Sequence, residues 1–296
     1  MGVDEKYKSL QEILRSLHRV VVAYSGGVDS AFLLKAAVET LGPDNVLACI
    51  GVSGSLSAHQ HEQARRVAAA AGATLREVPV DEMDDPAYTA NRPDRCFHCK
   101  SHLFGTFLAI AQREGYGHVV CGNNLDDQDD YRPGNRAAAQ LGVRAPLMEA
   151  GLTKADIREL SRRVGLETAD VPASPCLASR IRYGLEITAE RLEQVEKAEA
   201  LLRSLGFVEF RVRHHGDVAR IEVRPEEMAR VIDPAVRGRI VEGLKSLGFL
   251  YIGLDLQGFR SGALNEALDS TQDSRREPEH PRTRARGDRS DMRSDQ

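Results

Sequence analysis

Residues Val20 to Ser30 constrain this chain more than any other stretch. Val20-Val21-Val22-Ala23-Tyr24 reads as a buried strand, Ser25-Gly26-Gly27 as a sharp turn, and Ser30 as the start of an apolar-periodic helix through Phe32, Leu33 and Leu34. Two adjacent glycines let backbone N–H groups approach an anion closely, and the helix end after Val28 adds its positive pole. The hydroxyls of Ser25 and Ser30 can donate to the same oxygens. Asp29 would repel a phosphate, so a magnesium ion or a proton must stand between them. The stretch therefore suits a polyphosphate. It is not a Gly-Lys-Ser/Thr phosphate loop, because no such triplet follows the glycines. A strand–turn–helix whose glycines serve only the turn is the alternative, and Ser25, Gly26, Gly27, Asp29 and Ser30 together disfavour it.

The pattern around this stretch predicts an α/β fold with a doubly wound parallel sheet and a smaller C-terminal α+β region. Asp4–Leu17 carries an amphipathic stripe. Strands are expected at Val46–Gly51, Thr74–Val80 and His118–Cys121, with helices at Ser55–Ala71, Ser101–Gly115 and Thr153–Val164 between and after them. Ligands in such sheets bind beyond the carboxyl ends of the strands. Ser25, Ser53, Gly122 and Asn124 fall there, which makes the backbone around Val52 and Ser53 a candidate seat for an adenine. The acidic run after Gly122 contains Asp126, Asp127, Asp129 and Asp130, read either as a solvated loop or, from its place opposite the phosphate loop, as a nucleotide or magnesium site. Asp81–Cys99 reads as a long polar connection. We expect residues 1–184 to form the nucleotide domain and 185–268 a small α+β domain. In the latter a helix Thr188–Leu205 precedes an antiparallel sheet made of Val208–His214, Val218–Val223 and Phe249–Leu254. Residues 269–296 hold Met292 as their one large apolar side chain and read as a disordered tail.

The 296 residues are 42% hydrophobic with a formal net charge of −4, so no basic field points to nucleic acid. No run approaches a membrane span and the first residues lack a signal-peptide core, so the cytoplasm is the expected compartment. Five cysteines without a secretion signal argue against a disulfide framework. Cys49 and Cys121 sit in apolar strand runs as small buried hydrophobes. Cys96 and Cys99 form a C-x-x-C that opens a helix before Ser101, compatible with a redox pair or part of a metal site. Cys176 lies between Pro175 and the cations Arg180 and Arg182, which are expected to lower its pKa and favour a nucleophilic thiolate. Three cysteines can also hold a 4Fe-4S cluster with one iron open to an outside ligand.

The loop Ser25–Ser30 resembles the pyrophosphate loop of the PP-loop ATP pyrophosphatases. With the segment Gly122–Gly134, the cysteine loop Ser174–Arg180 and the strand Arg211-Val212-Arg213-His214, residues 1–265 resemble the LarE family, ATP-dependent sulfur transferases that build the nickel-pincer nucleotide of lactate racemase. The resemblance implies that Mg-ATP adenylates a carboxylate of a pyridinium biscarboxylate mononucleotide, and that sulfur then replaces AMP to give a thiocarboxylate. It implies ATP contacts at Ser25, Gly26, Gly27, Val28, Asp29, Ser30, Ser53, Gly122, Asn124 and Asp127, with Asp29 on Mg2+. One branch of the family consumes its cysteine at the position of Cys176, leaving dehydroalanine. Another holds a 4Fe-4S cluster that accepts sulfide from a donor molecule or delivery protein; Cys96, Cys99 and Cys176 favour that branch here. Arg180, Arg211 and Arg213 are expected to cradle the substrate phosphate and carboxylates, a solvated strand face being the alternative for the last two. The resemblance further implies a homo-oligomer, a hexamer among the options. Rival readings are a tRNA thiolase, an amide-forming synthetase, a nucleotide-binding regulator without chemistry, and an iron–sulfur electron carrier. The first lacks a basic face, the second a glutaminase domain, and the last two leave the Cys176 loop or the phosphate loop unexplained.

Overall fold

The β-branched run folds as strand β1, Val20–Ala23, at the interior of a parallel sheet whose order is β3-β2-β1-β4. Its partners are β2, Val46–Val52, which β3, Thr74–Pro79, flanks in turn, and β4, His118–Cys121, on the other side. The computed structural model describes residues 2–128, 133–172, 174–260, 262–264 and 266. Asp129, Asp130 and the expected tail lie outside the described residues. Met1–Leu264 forms one compact unit.

Alternation along β1 and β2 assigns the two faces of the sheet. Val20, Val22, Val46, Ala48 and Ile50 pack with helices α1 (Val3–Leu17), α2 (Val28–Leu41) and α3 (Ala58–Ala70). The intervening Val21, Leu47 and Cys49 meet Phe104, Phe107 and Ile110 from the opposite face. Period-2 side chains buried on both sides are what a doubly wound sheet requires. The strand order reverses between β1 and β4, so the ligand crevice lies beyond Tyr24 and Cys121.

Two expectations are corrected along the chain. The segment 81–99 is not a plain loop: it holds α4 (Pro86–Thr89), and α5 runs Arg95–Glu114, so Cys96 and Cys99 lie on its first turns rather than before it. After β4 come α6 (Pro133–Gln140), α7 (Pro146–Glu149) and α8 (Lys154–Arg163), the last capped by Thr153, whose hydroxyl accepts from Asp156 N.

The second sheet follows α9, Ala189–Ser204. Strands β5, Phe210–His215, and β6, Val218–Val223, pair antiparallel through a turn in which Gly216 takes φ +74°. After α10 (Met228–Ile232) and α11 (Pro234–Ser246), β7, Tyr251–Leu254, pairs with β6 in parallel. This sheet is therefore mixed, not antiparallel, because the two-helix connection returns the chain to the same end of β6.

His214 is buried in this sheet, with Nε2 against Gln194 Oε1 at 2.9 Å and Nδ1 accepting from Gly216 N at 3.2 Å. That arrangement suits the neutral ring, and burial, aided by Arg191 and His215, pushes its pKa from the usual 6.5 down to about 4. The unfolded chain then binds the proton more tightly. Stability is complete above about pH 6.5 and declines as the pH falls toward 4, by about 3 kcal/mol from this group alone. Urea midpoints between pH 7 and pH 4 are expected to fall less steeply in His214→Gln than in the wild type.

Candidate active site

Three groups of residues carry the candidate chemistry, the first of them beyond the carboxyl ends of the parallel strands. The first is the loop Ser25–Ser30. Gly26 takes φ +78°, and a β-carbon there would stand 2.9 Å from Ala64 Cβ, so only glycine lets the loop pass α3. Gly27 precedes α2 with no side-chain cap on the helix, and the helix begins at Val28, two residues before the expected Ser30. Ser30 Oγ donates to Gly27 O at 3.0 Å, accepts from Ser25 N at 3.2 Å and lies 3.1 Å from Ser25 Oγ. The two hydroxyls thus lie together beside the first turn of α2, the positive end of that helix.

Gly122, at the end of β4, closes this loop from the other side. A β-carbon at Gly122 would lie 2.8 Å from Ser30 N and 3.0 Å from Ser30 Cα. Gly122→Ala is accordingly expected to displace the first turn of α2, costing about 1–3 kcal/mol of stability and weakening nucleotide binding; calorimetric titration with a non-hydrolysable ATP analogue measures the latter. Behind it, Asn124 and Asp127 are buried in one local turn, Asp127 Oδ2 accepting from Asn124 N at 3.0 Å. Asp126 accepts from Lys154 N at 2.9 Å, and Lys154 Nζ reaches Asp29 Oδ2 at 2.5 Å. Lys154 is therefore the cation facing the loop carboxylate, a partner 125 residues away that the local sequence does not announce.

The second group is Cys96, Cys99 and Cys176. Cys176 precedes a 3-10 turn, Leu177–Arg180, that is fixed from several directions. Leu177 N donates to Ser55 O at 2.8 Å, Ile181 bridges to His214 on β5, and Arg180 Nη1 donates to Pro175 O at 2.6 Å. Buried Asn91, at φ +51°, donates Nδ2 to Arg182 O and Leu185 O at 2.9 and 2.8 Å. Its Oδ1 accepts from Arg95, whose Nη1 also reaches Ala178 O at 3.0 Å.

Burial pushes the Cys176 thiol up rather than down. Arg95 is the main cation opposing this and Arg180 a lesser one, while Cys96 and Glu82 add to the rise. This corrects the expectation of an Arg180–Arg182 pair: Arg182 is exposed, and buried Arg95 takes its place. Burial likewise raises Cys99, helped by Glu82, to which its Sγ donates at 2.9 Å, and by Cys176. Cys49 and Cys121 are buried core thiols. Among the described residues no three His, Cys, Asp or Glu side chains lie close enough to hold a single metal ion.

The third group is the arginines. Arg180, 2% exposed, pairs with Glu199 through Nε at 2.9 Å and Nη2 at 3.2 Å. Arg213 pairs with both oxygens of the fully buried Glu222 at 3.0 and 2.9 Å and donates to Ser179 O at 3.0 Å. Arg211 donates to Phe210 O at 2.6 Å and lies 4.9 Å from the Phe259 ring centre. Its pKa falls to about 10 from burial and the nearby Arg180 and Arg213, against Glu199 and Glu222. Arg211 and Arg213 are buried, not a solvated strand face. Ser53, for its part, donates its hydroxyl to Glu82 Oε1 at 2.8 Å.

A doubly wound parallel sheet carrying Ser-Gly-Gly-Val-Asp-Ser at its switch point defines an enzyme of the PP-loop ATP pyrophosphatase class. The NAD synthase family profile matches residues 3–98. Over 268 residues the chain is 40% identical to pyridinium-3,5-bisthiocarboxylic acid mononucleotide synthase of Lactiplantibacillus plantarum, covering 90% of this chain and 96% of that one. An uncharacterised protein of Synechocystis is 42% identical over 266 residues, covering 90% and 99%. A tRNA-specific 2-thiouridylase of Bradyrhizobium is 28% identical over 195 residues, about half of each chain. The chain belongs to the LarE family of ATP-dependent sulfur transferases. No helix among its described residues is long and apolar enough to cross a membrane.

Proposed function

We propose that this chain thiolates a pyridinium-3,5-biscarboxylate mononucleotide at the expense of ATP, with Cys96, Cys99 and Cys176 as the residues that handle sulfur. The observation that carries the reading is the docking of the Cys176 loop on the connection after β2, through Leu177 N and Ser55 O, beside the nucleotide end of the sheet. In the first step a substrate carboxylate oxygen attacks the α-phosphorus of ATP, the bond to the bridging oxygen breaks, and pyrophosphate leaves. Ser25, Ser30 and the first-turn amides of α2 hold the departing phosphates. Asp29 would hold Mg2+, which would offset the charge of those phosphates, and Lys154 balances the Asp29 carboxylate. Gly122, Asn124 and Asp127 shape the opposite wall, and the backbone at Val52 and Ser53 seats the adenine.

In the second step a sulfur nucleophile adds to the acyl carbon and AMP leaves with the C–O bond electrons. The three cysteines fit a 4Fe-4S cluster in donor type: Cys96 and Cys99 sit one turn apart on α5, Cys96 raises Cys176, and Cys176 raises Cys99. When bound, such a cluster supplies an open iron to which sulfide can be delivered. Arg95, buried beside Cys96 and Cys176, provides the compensating positive charge. Arg180 and Arg213, held in buried pairs with Glu199 and Glu222, fix the Cys176 loop and β5, and Arg211 beside them receives a substrate anion. Burial, with a lesser push from Arg180 and Arg213, depresses Arg211, and a bound anion would offset both.

Anaerobic purification followed by iron and labile-sulfide analysis tests the assignment. About four irons per chain with broad visible absorbance, both lost in Cys96→Ala, is the expected result. An iron-free, colourless wild type that loses the Cys176 sulfur after one turnover would replace it with the sacrificial route. There the Cys176 thiolate forms the thioester, and loss of its Cα proton breaks the Cβ–S bond to leave dehydroalanine.

A further inference from the structure

We infer that Glu82 is a positioning residue that couples the nucleotide end of β2 to the sulfur-handling cysteines. Its side chain is 2% exposed, and four donors converge on it. Ser53 Oγ, Ser55 Oγ and the Tyr88 hydroxyl reach Oε1 at 2.8, 2.5 and 3.1 Å, and Cys99 Sγ reaches Oε2 at 2.9 Å. Burying a carboxylate is costly without such partners, and bonds to a charged acceptor are the strong ones. A core position at this place needs no charge, since an apolar residue would pack against Tyr88 without any of these bonds.

The donors come from separate parts of the fold. Ser53 and Ser55 follow β2, Tyr88 stands on α4 and Cys99 on α5. Ser55 also accepts, through its carbonyl, the amide of Leu177 next to Cys176. One carboxylate thereby fixes Cys99 and, through Ser55, the Cys176 loop relative to the strand end where the nucleotide sits. The inference rests on the sulfur-transfer reading above. Within it, Glu82 decides what meets the acyl adenylate. With the cysteines in place, sulfur adds to the acyl carbon and AMP leaves. With them displaced, water adds to the same carbon, AMP leaves, and ATP is consumed without a thiocarboxylate.

Two readouts on the full chain separate this role from simple destabilisation. The first is AMP released per thiocarboxylate formed, measured for wild type, Glu82→Gln and Tyr88→Phe. The second is iodoacetamide labelling of Cys99 against Cys96 in the iron-free full chain, where Cys99 carries the proton it donates to Glu82, by peptide mass mapping without substrate. In Glu82→Gln the AMP ratio is expected to rise by up to about a hundredfold, the scale on which misplacing a reacting group by an ångström acts, and Cys99 to label faster while Cys96 does not. Tyr88→Phe, which keeps the ring and removes one donor, should move both readouts in the same direction by less, and it decides the question if the glutamine variant fails to fold. An unchanged AMP ratio, or Cys99 labelling at the wild-type rate, would overturn the inference. Failure of the wild type to form any thiocarboxylate would instead sink the sulfur-transfer reading, and the labelling comparison would then decide the Glu82–Cys99 contact by itself.

Discussion

Replacing Cys176 with serine is expected to lower thiocarboxylate formation to below about a thousandth of the wild-type rate, as removal of an essential nucleophile does, while pyrophosphate release continues. The asymmetry follows from geography. The phosphate loop, Asp29, Lys154 and Gly122 form one body of contacts. Cys176 belongs to a different one, anchored through Arg180, Asn91 and Ser55. A hydroxyl is nearly isosteric with a thiol but is a far weaker nucleophile and a poor iron ligand. Pyrophosphate release and thiocarboxylate, followed together in the presence of the pyridinium substrate, check the separation. Equal loss of both would mean that Cys176 takes part in adenylation.

Arg180→Ala is expected to be the most damaging single change to the fold of the site. It leaves Glu199 buried without its guanidinium partner and removes the donor that holds Pro175 O. Breaking a buried pair from one side costs about 3–5 kcal/mol, which for a unit of this size lowers the melting temperature by about 10 °C. Val212 N also donates to Glu199 Oε1, at 3.2 Å, so the disturbance reaches β5. Replacing both members, Arg180→Met with Glu199→Leu, should recover most of the stability, because the uncompensated charge disappears. It should not recover activity, because the Cys176 loop stays untethered. Thermal unfolding and thiocarboxylate formation, measured on the two variants beside the wild type, separate the two effects.

The fold and the loop at its centre were legible because two local patterns coincide at Val20–Ser30: a β-branched run and a glycine turn into an apolar helix. Both are properties of neighbouring residues. The start of α5 was not legible, because Arg95–Lys100 spaces Cys96, Phe97 and Cys99 without an extended apolar stripe, and its helical state is fixed by contacts such as Arg95 with Asn91 and Ala178. The direction of β7 was open to deduction: the connection from Arg224 to Leu250 is long enough to carry a parallel crossover, and alternation of side chains says nothing about strand direction. Sequence proximity points to Arg182 as the cation at Cys176, but burial, which the sequence does not show, raises the thiol, and Arg95, far away in the chain, is the cation folded against it. Lys154 and Glu82 gave no local signal at all. Each matters only through a partner that the topology brings to it, Asp29 for the one and four separate donors for the other.

The most direct measurement of the central claim is the stoichiometry of one reaction mixture: purified protein, pyridinium-3,5-biscarboxylate mononucleotide, Mg-ATP and sulfide, without oxygen, analysed by mass spectrometry. The account predicts one AMP and one pyrophosphate for each carboxylate oxygen replaced by sulfur, and no ATP consumption when the pyridinium nucleotide is omitted. ATP cleavage to ADP, or AMP formation with no sulfur in the pyridinium product, would contradict it.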